Sequence, residues 1–125
     1  MRYLYESHLG NLYISDNYID DDELYCEECG DSDWLIGQFD NIEDFWNLIE
    51  DQVDICGSGG YKLKYIYPFI VGEFELDDKL DFDEDWPHYC TWDDERIIGR
   101  IEELIGRKIP LLLSERISIF NRGNV

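Results

Sequence analysis

Tyr3-Leu4-Tyr5-Glu6-Ser7-His8-Leu9-Gly10-Asn11-Leu12-Tyr13-Ile14 is the stretch that decides the fold class. Two β-favouring runs, Tyr3 to Tyr5 and Leu12 to Ile14, flank a short polar segment ending in Gly10-Asn11. A Gly-Asn pair between two such runs marks an antiparallel hairpin. A second pair of runs, Leu24-Tyr25-Cys26 and Trp34-Leu35-Ile36, is joined by Glu27 to Asp33, where Gly30, Asp31, Ser32 and Asp33 favour a tight loop. Together they predict an antiparallel sheet of three or four strands.

Helical periodicity takes over downstream. A helix is expected to start at Asp40 or Asn41: Asp40 and Glu43 have capping-box spacing, and Ile42, Phe45, Trp46, Ile49 and Val53 recur on one helical face. A second helix is expected from Thr91, capped with Asp94, with Ile97, Ile98, Ile101, Leu104 and Ile105 as its buried stripe and Gly106 as its end. Between them, Gly57-Ser58-Gly59-Gly60 breaks the chain, and Tyr61 to Val71 reads as a strand turning into a helix at Pro68 or as one bent strand. Phe74, Leu76, Leu80 and Phe82 alternate with acids from Glu73 to Asp85, which predicts two short strands across a turn at Asp78-Lys79. Leu111 to Leu113 and Arg116 to Phe120 are expected as a loop and a closing strand. The expected architecture is α+β, an antiparallel sheet with two main helices packed on it, in a single domain over residues 1–125.

Charge sets the functional argument. The chain carries 30 acids against 10 bases, a formal net charge of -20. Four Trp, nine Tyr and six Phe supply the apolar surface that a disordered acidic chain lacks. Residues 1–95 hold 27 of the acids and only Arg2, Lys62, Lys64 and Lys79, a balance of -23. Such a field repels nucleic acid and anionic membranes and speeds encounter with a basic protein. No apolar run approaches the roughly 18 residues of a membrane span, and the start lacks a signal-peptide pattern, so the cytoplasm is the expected compartment.

Solubility needs a net charge of only about 2 to 8 in a small domain. The excess points to recognition. Asp20, Asp21, Asp22 and Glu23 form one candidate partner-binding cluster, and Glu73, Glu75, Asp77, Asp78, Asp81, Asp83, Glu84 and Asp85 form another. Carboxylates on one strand face repeat about every 6.8 Å, a spacing that lets a rigid fold imitate a line of phosphates. The opposing reading is a pair of solvated faces.

Four cysteines in a reducing compartment suggest free thiols or a metal site rather than disulfides. Cys26-Glu27-Glu28-Cys29-Gly30 has zinc-knuckle spacing, half of a structural zinc site. His88 and Cys90, with Cys56 as a substitute, are the candidates to complete four ligands. The alternative is cysteines packed as small apolar residues. A redox pair is disfavoured by Glu27 and Glu28, which oppose thiolate formation. Neither acidic cluster fits a calcium-binding EF-hand loop. With only His8 and His88 and no nucleophile elbow, P-loop or Rossmann fingerprint, an enzyme is not expected.

Tyr5-Glu6-Ser7-His8-Leu9-Gly10 together with Cys26-Glu27-Glu28-Cys29-Gly30-Asp31-Ser32-Asp33 resembles the opening of small uncharacterised proteins carried by phages and mobile elements. In size and charge the whole chain is similar to DNA-mimicking phage inhibitors, including anti-CRISPR proteins. The resemblance implies a host-defence inhibitor working in the host cytoplasm. Its expected partner is a basic nuclease or other nucleic-acid-binding protein. An immunity protein that neutralises a basic nuclease toxin, and a zinc-stabilised adaptor, are the alternatives.

Overall fold

The structure is a computed structural model that describes residues 1–53, 55, 61–81 and 90–110. Among these residues it is an α+β arrangement of a three-stranded antiparallel sheet and four helices. The backbone falls into two compact units, Met1–Leu48 and Ile49–Val125.

In the first unit, β1 (Arg2–Glu6) pairs with β2 (Leu12–Ser15) in the register Tyr3 to Ser15 through Glu6 to Leu12. Gly10 occupies the left-handed region at φ 88°, and the Ser7 amide donates to the Asn11 carbonyl at 2.7 Å, closing the hairpin. Tyr5 stacks on its cross-strand partner Tyr13 with centroids 5.4 Å apart. β3 (Trp34–Phe39) lies on the other side of β1, giving the order β2-β1-β3. The β1–β3 register shifts between Leu4 and Tyr5, so that Leu4 faces Gly37 and Tyr5 faces Leu35. Ile36 is the extra residue of that bulge. A Cβ at Gly37 would overlap the end of the Leu48 side chain, which would have to shift to admit it.

Leu24 does not join the sheet as expected. Asp21–Leu24 forms a single helical turn, α1, and Tyr25 makes only an isolated bridge with Ser32. The three acids of α1 sit at its positive end, which favours a helical turn over an extended strand. The Asp33 amide donates to the Leu24 carbonyl at 2.9 Å, so the loop returns on itself before β3 begins.

Helix α2 (Ile42–Gln52) buries Phe45, Trp46 and Ile49, with Val53 buried just beyond it, as its periodicity predicts. Its cap is Asn41, the second of the two expected starts, whose Oδ1 accepts the Asp44 amide at 2.9 Å. In the second unit, Tyr61 to Val71 is neither a strand nor a bent strand. It forms α3 (Leu63–Glu73), with Pro68 inside the helix. Leu63, Ile66, Tyr67 and Ile70 recur at helical spacing and are all buried, and that packing outweighs the hydrogen bond that Pro68 cannot donate.

The strand pair expected from Glu73 is absent as far as Asp81. The chain leaves α3 through Phe74 and Glu75, the latter at φ 50°, and continues as irregular structure. Asp83, Glu84, Asp85 and the expected elements at 111–113 and 116–120 lie outside the described residues.

Helix α4 (Asp94–Ile105) packs against α3 and buries Ile97, Ile101 and Ile105. Ile98 and Leu104 are half-buried. Asp93, not Thr91, is its cap and accepts the Arg96 amide at 2.8 Å. Gly106 ends the helix at φ 74° with its amide on the Glu102 carbonyl. No helix among the described residues is long and apolar enough to cross a membrane. The cap assignment gives a direct check. Asp93→Ala should cost about 1 kcal/mol of unfolding free energy, whereas Thr91→Ala should stay within about 0.5 kcal/mol, measured by denaturant titration.

Candidate functional site

The tip of the β1–β2 hairpin and the loop before β3 meet because Glu6 pairs with Trp34 across the sheet. That register places His8 beside Asp33. His8 Nδ1 lies 2.6 Å from Asp33 Oδ1, and the His8 amide donates to the same oxygen at 2.9 Å. The Tyr13 hydroxyl donates to the other carboxylate oxygen at 2.7 Å. Asp33 is held below the ordinary carboxylate range, first by the His8 amide, then by the imidazole and the Tyr13 hydroxyl. Hydrogen bonding to Asp33 raises His8 above the ordinary imidazole value.

The same loop carries the two thiols. The Gly30 amide donates to the Cys26 carbonyl at 2.8 Å, the Cys26 amide donates to the Asp31 carbonyl at 2.8 Å, and Gly30 adopts φ 76°. This is the turn expected of a knuckle. The Cys29 amide, then the Cys29 thiol and the Glu28 amide, hold the Cys26 thiol below its ordinary value against burial. Cys29 is raised, chiefly by its hydrogen bond with Cys26.

Ligand atoms of His8, Cys26 and Cys29 all lie within 4.8 Å of one another. This group could hold a metal ion. With Nδ1 engaged by Asp33, Nε2 is the imidazole nitrogen left for a cation. Cys26 is half-buried and Cys29 exposed, so the cluster is reached from solvent.

The remaining metal candidates are placed differently. Cys90 belongs to the second unit and is buried, with the Trp92 amide donating to its Sγ at 3.4 Å and burial pushing the thiol up. It is not part of the three-residue group. His88 and Cys56 lie outside the described residues. His8 and Asp33 were missed as site residues by reading the sequence. The signal was present in the hairpin register, which brings the residues after Glu6 beside those before Trp34.

No protein-family model, curated protein or solved structure matches the chain.

Of the acidic candidates, Asp20, Asp21, Asp22 and Glu23 are all exposed around α1. Glu75, Asp77 and Asp81 are exposed, and Glu73 is half-buried at the end of α3. Asp78 corrects the expectation of an outward-facing row. Its side chain is 9% exposed and forms a two-oxygen hydrogen-bonded pair with Arg100, at 2.9 to 3.1 Å, while the Tyr67 hydroxyl donates to Oδ2. Arg100 holds Asp78 below its ordinary value, and burial followed by Asp78 pushes Tyr67 up. The apparent alternation fails here because the chain turns Asp78 inward to bind α4.

Asp78 is therefore a fold residue. Asp78→Asn should cost about 2 to 3 kcal/mol near neutral pH, since it removes a half-buried charge from Arg100. Its folded pKa is depressed, so its contribution is present above the unfolded carboxylate value of about 3.9 and is lost as pH falls through the folded value. Thermal unfolding from pH 7 to strong acid should show the gap between parent and variant closing below about pH 4.

Proposed function

We propose that the protein is a non-enzymatic, stoichiometric inhibitor that covers a basic nucleic-acid-binding surface of a nuclease, as phage anti-CRISPR proteins do. The observation that carries this reading is the one-sided charge of the first unit. Met1–Leu48 holds thirteen acids and a single base, Arg2. Arg2 is itself 3.5 Å from Asp16 and lies over the Phe39 ring. Asp20 to Glu23, Glu27, Glu28 and Asp31 are exposed. In the second unit, Arg100, Arg107 and Lys108 meet Asp78, Glu103, Glu50 and Glu102. A field left without local counter-charges is best matched by a Lys/Arg-lined groove, and it accelerates encounter with such a partner. The docking side moves accordingly from Glu73–Asp85 to the acids of the first unit. The same electrostatics would serve an immunity protein against a basic nuclease toxin, for which the partner would be that toxin.

The cation we assign to His8, Cys26 and Cys29 is zinc. Two thiolates with one imidazole form a donor set suited to zinc and poorly suited to calcium or magnesium. Its role here is to order the loop that carries Glu27, Glu28 and Asp31, which also keeps open a reading as a zinc-stabilised adaptor.

The isolated protein should give no mobility shift with duplex DNA at physiological salt. Added to a basic nuclease that it retains on a column, it should displace that nuclease's DNA at one-to-one stoichiometry. Changing Asp21, Asp22, Glu27 and Glu28 together to Lys should slow association and flatten its dependence on salt. Single changes should be nearly silent, since an exposed pair contributes only about 0.2 to 1 kcal/mol. A DNA shift by the protein alone, or a quadruple variant that inhibits as well as the parent, would reject the mimic reading.

A further inference from the structure

We propose that Asp33 is the positioning residue of the metal centre: its carboxylate accepts the His8 Nδ1–H and so presents Nε2 to the ion held by Cys26 and Cys29. This deepens the zinc reading and rests on it. His8 sits in the hairpin turn between β1 and β2, whereas both thiols sit in the loop before β3. A cation bound by all three would clasp two segments separated in sequence. Without Asp33, the imidazole could rotate about its side-chain bonds and offer either nitrogen.

Asp33 removes that freedom. One oxygen takes both the backbone amide and the ring N–H of His8, so the turn and the ring are fixed by the same atom. The other oxygen takes the Tyr13 hydroxyl from β2, which anchors the carboxylate to the sheet. The side chains of His8 and Asp33 are only 16% and 19% exposed, so water competes little for these bonds. Asp33 stands outside the three-residue ligand group, where a carboxylate acts on the imidazole rather than on the ion. The arrangement is a carboxylate–histidine–metal relay of hydrogen bonding, with the backbone of the hairpin locked into it. Zinc binding would displace the thiol protons of Cys26 and Cys29 to solvent and leave His8 neutral with its proton on Nδ1.

The experiment uses the full chain and two metals. Cobalt(II) added to the parent protein should give thiolate-to-cobalt charge-transfer absorption at one equivalent. Zinc affinity is then measured by competition with a chromophoric chelator. Asp33→Asn keeps the shape but cannot serve all three donors with carboxylate oxygens, and it should weaken zinc binding about 10- to 100-fold. Glu43→Gln removes an equal charge from an exposed position of the same unit and should bind zinc as the parent does. If the parent shows no charge-transfer bands, the zinc reading falls and the role of Asp33 falls with it. If the parent shows them and Asp33→Asn binds zinc as tightly as Glu43→Gln, only the positioning role is overturned. Should Asp33→Asn fail to fold, NMR of the cadmium-loaded parent with labelled imidazole nitrogens decides the matter. Metal coupling to Nε2 with a protonated Nδ1 is expected, and coupling to Nδ1 overturns the proposal.

Discussion

One carboxylate joins three segments of the first unit. Asp33 takes hydrogen bonds from the turn after β1 and from β2, while its own amide donates to the Leu24 carbonyl at the end of α1. Remove those bonds and the hairpin tip has no fixed relation to the cysteine loop, because the sheet register alone sets only the approach of Glu6 to Trp34. Charge-assisted hydrogen bonds are roughly twice as strong as neutral ones. A carboxylate receiving three donors in a half-buried setting is thus a stronger tie than any single backbone bond of the loop. The thiol geometry is set within the loop itself: the Gly30 amide closes the turn on the Cys26 carbonyl, while the Cys29 and Glu28 amides face the Cys26 sulphur.

The two units handle negative charge in different ways. In the second, α4 places Arg100 against Asp78 and Glu103, and the segment after it places Arg107 against Glu50. The Arg100–Asp78 and Arg107–Glu50 pairs join segments 22 and 57 residues apart, so these bases tie the fold together, whereas Arg100–Glu103 lies within α4. The first unit holds its shape by aromatic packing instead: Tyr5 on Tyr13, and Phe39 edge-on to Phe45 at 5.1 Å. Aromatic burial is not weakened by charge screening, as an exposed ion pair is. A core of that kind tolerates a surface of like charges that a core stitched by ion pairs would not.

Much of the fold was legible in the sequence because periodicity and burial agree. The hairpin, β3, α2 and α4 all follow runs whose apolar residues repeat with one period, and Gly106 ends α4 where glycine is favoured. Reading failed where local chemistry and packing disagree. Pro68 argued against a helix running through it, yet Leu63, Ile66, Tyr67 and Ile70 bury one face of α3, and burial won. Alternation from Glu73 argued for a strand, yet Asp78 is an acid that faces inward because Arg100, 22 residues away, awaits it. Cys26 and Cys29 were visible as half a site by spacing alone. The third residue of the cluster was not, since His8 lies in a different turn and joins them only through strand pairing.

The charge of the first unit would give the proposed cation a physical purpose. Thirteen acids against one base in Met1–Leu48 repel one another and work against compaction. A disulfide between Cys26 and Cys29 would close only a short turn and remove little chain entropy. The divalent ion we propose, shared with His8, would close the longer loop from the hairpin to the knuckle and balance the charge of the two thiolates that bind it. Stapling by a cation would also leave the carboxylates of the loop facing outward. For an inhibitor of the kind proposed, which would keep a negative surface on a rigid backbone, that is the less costly way to hold the loop together.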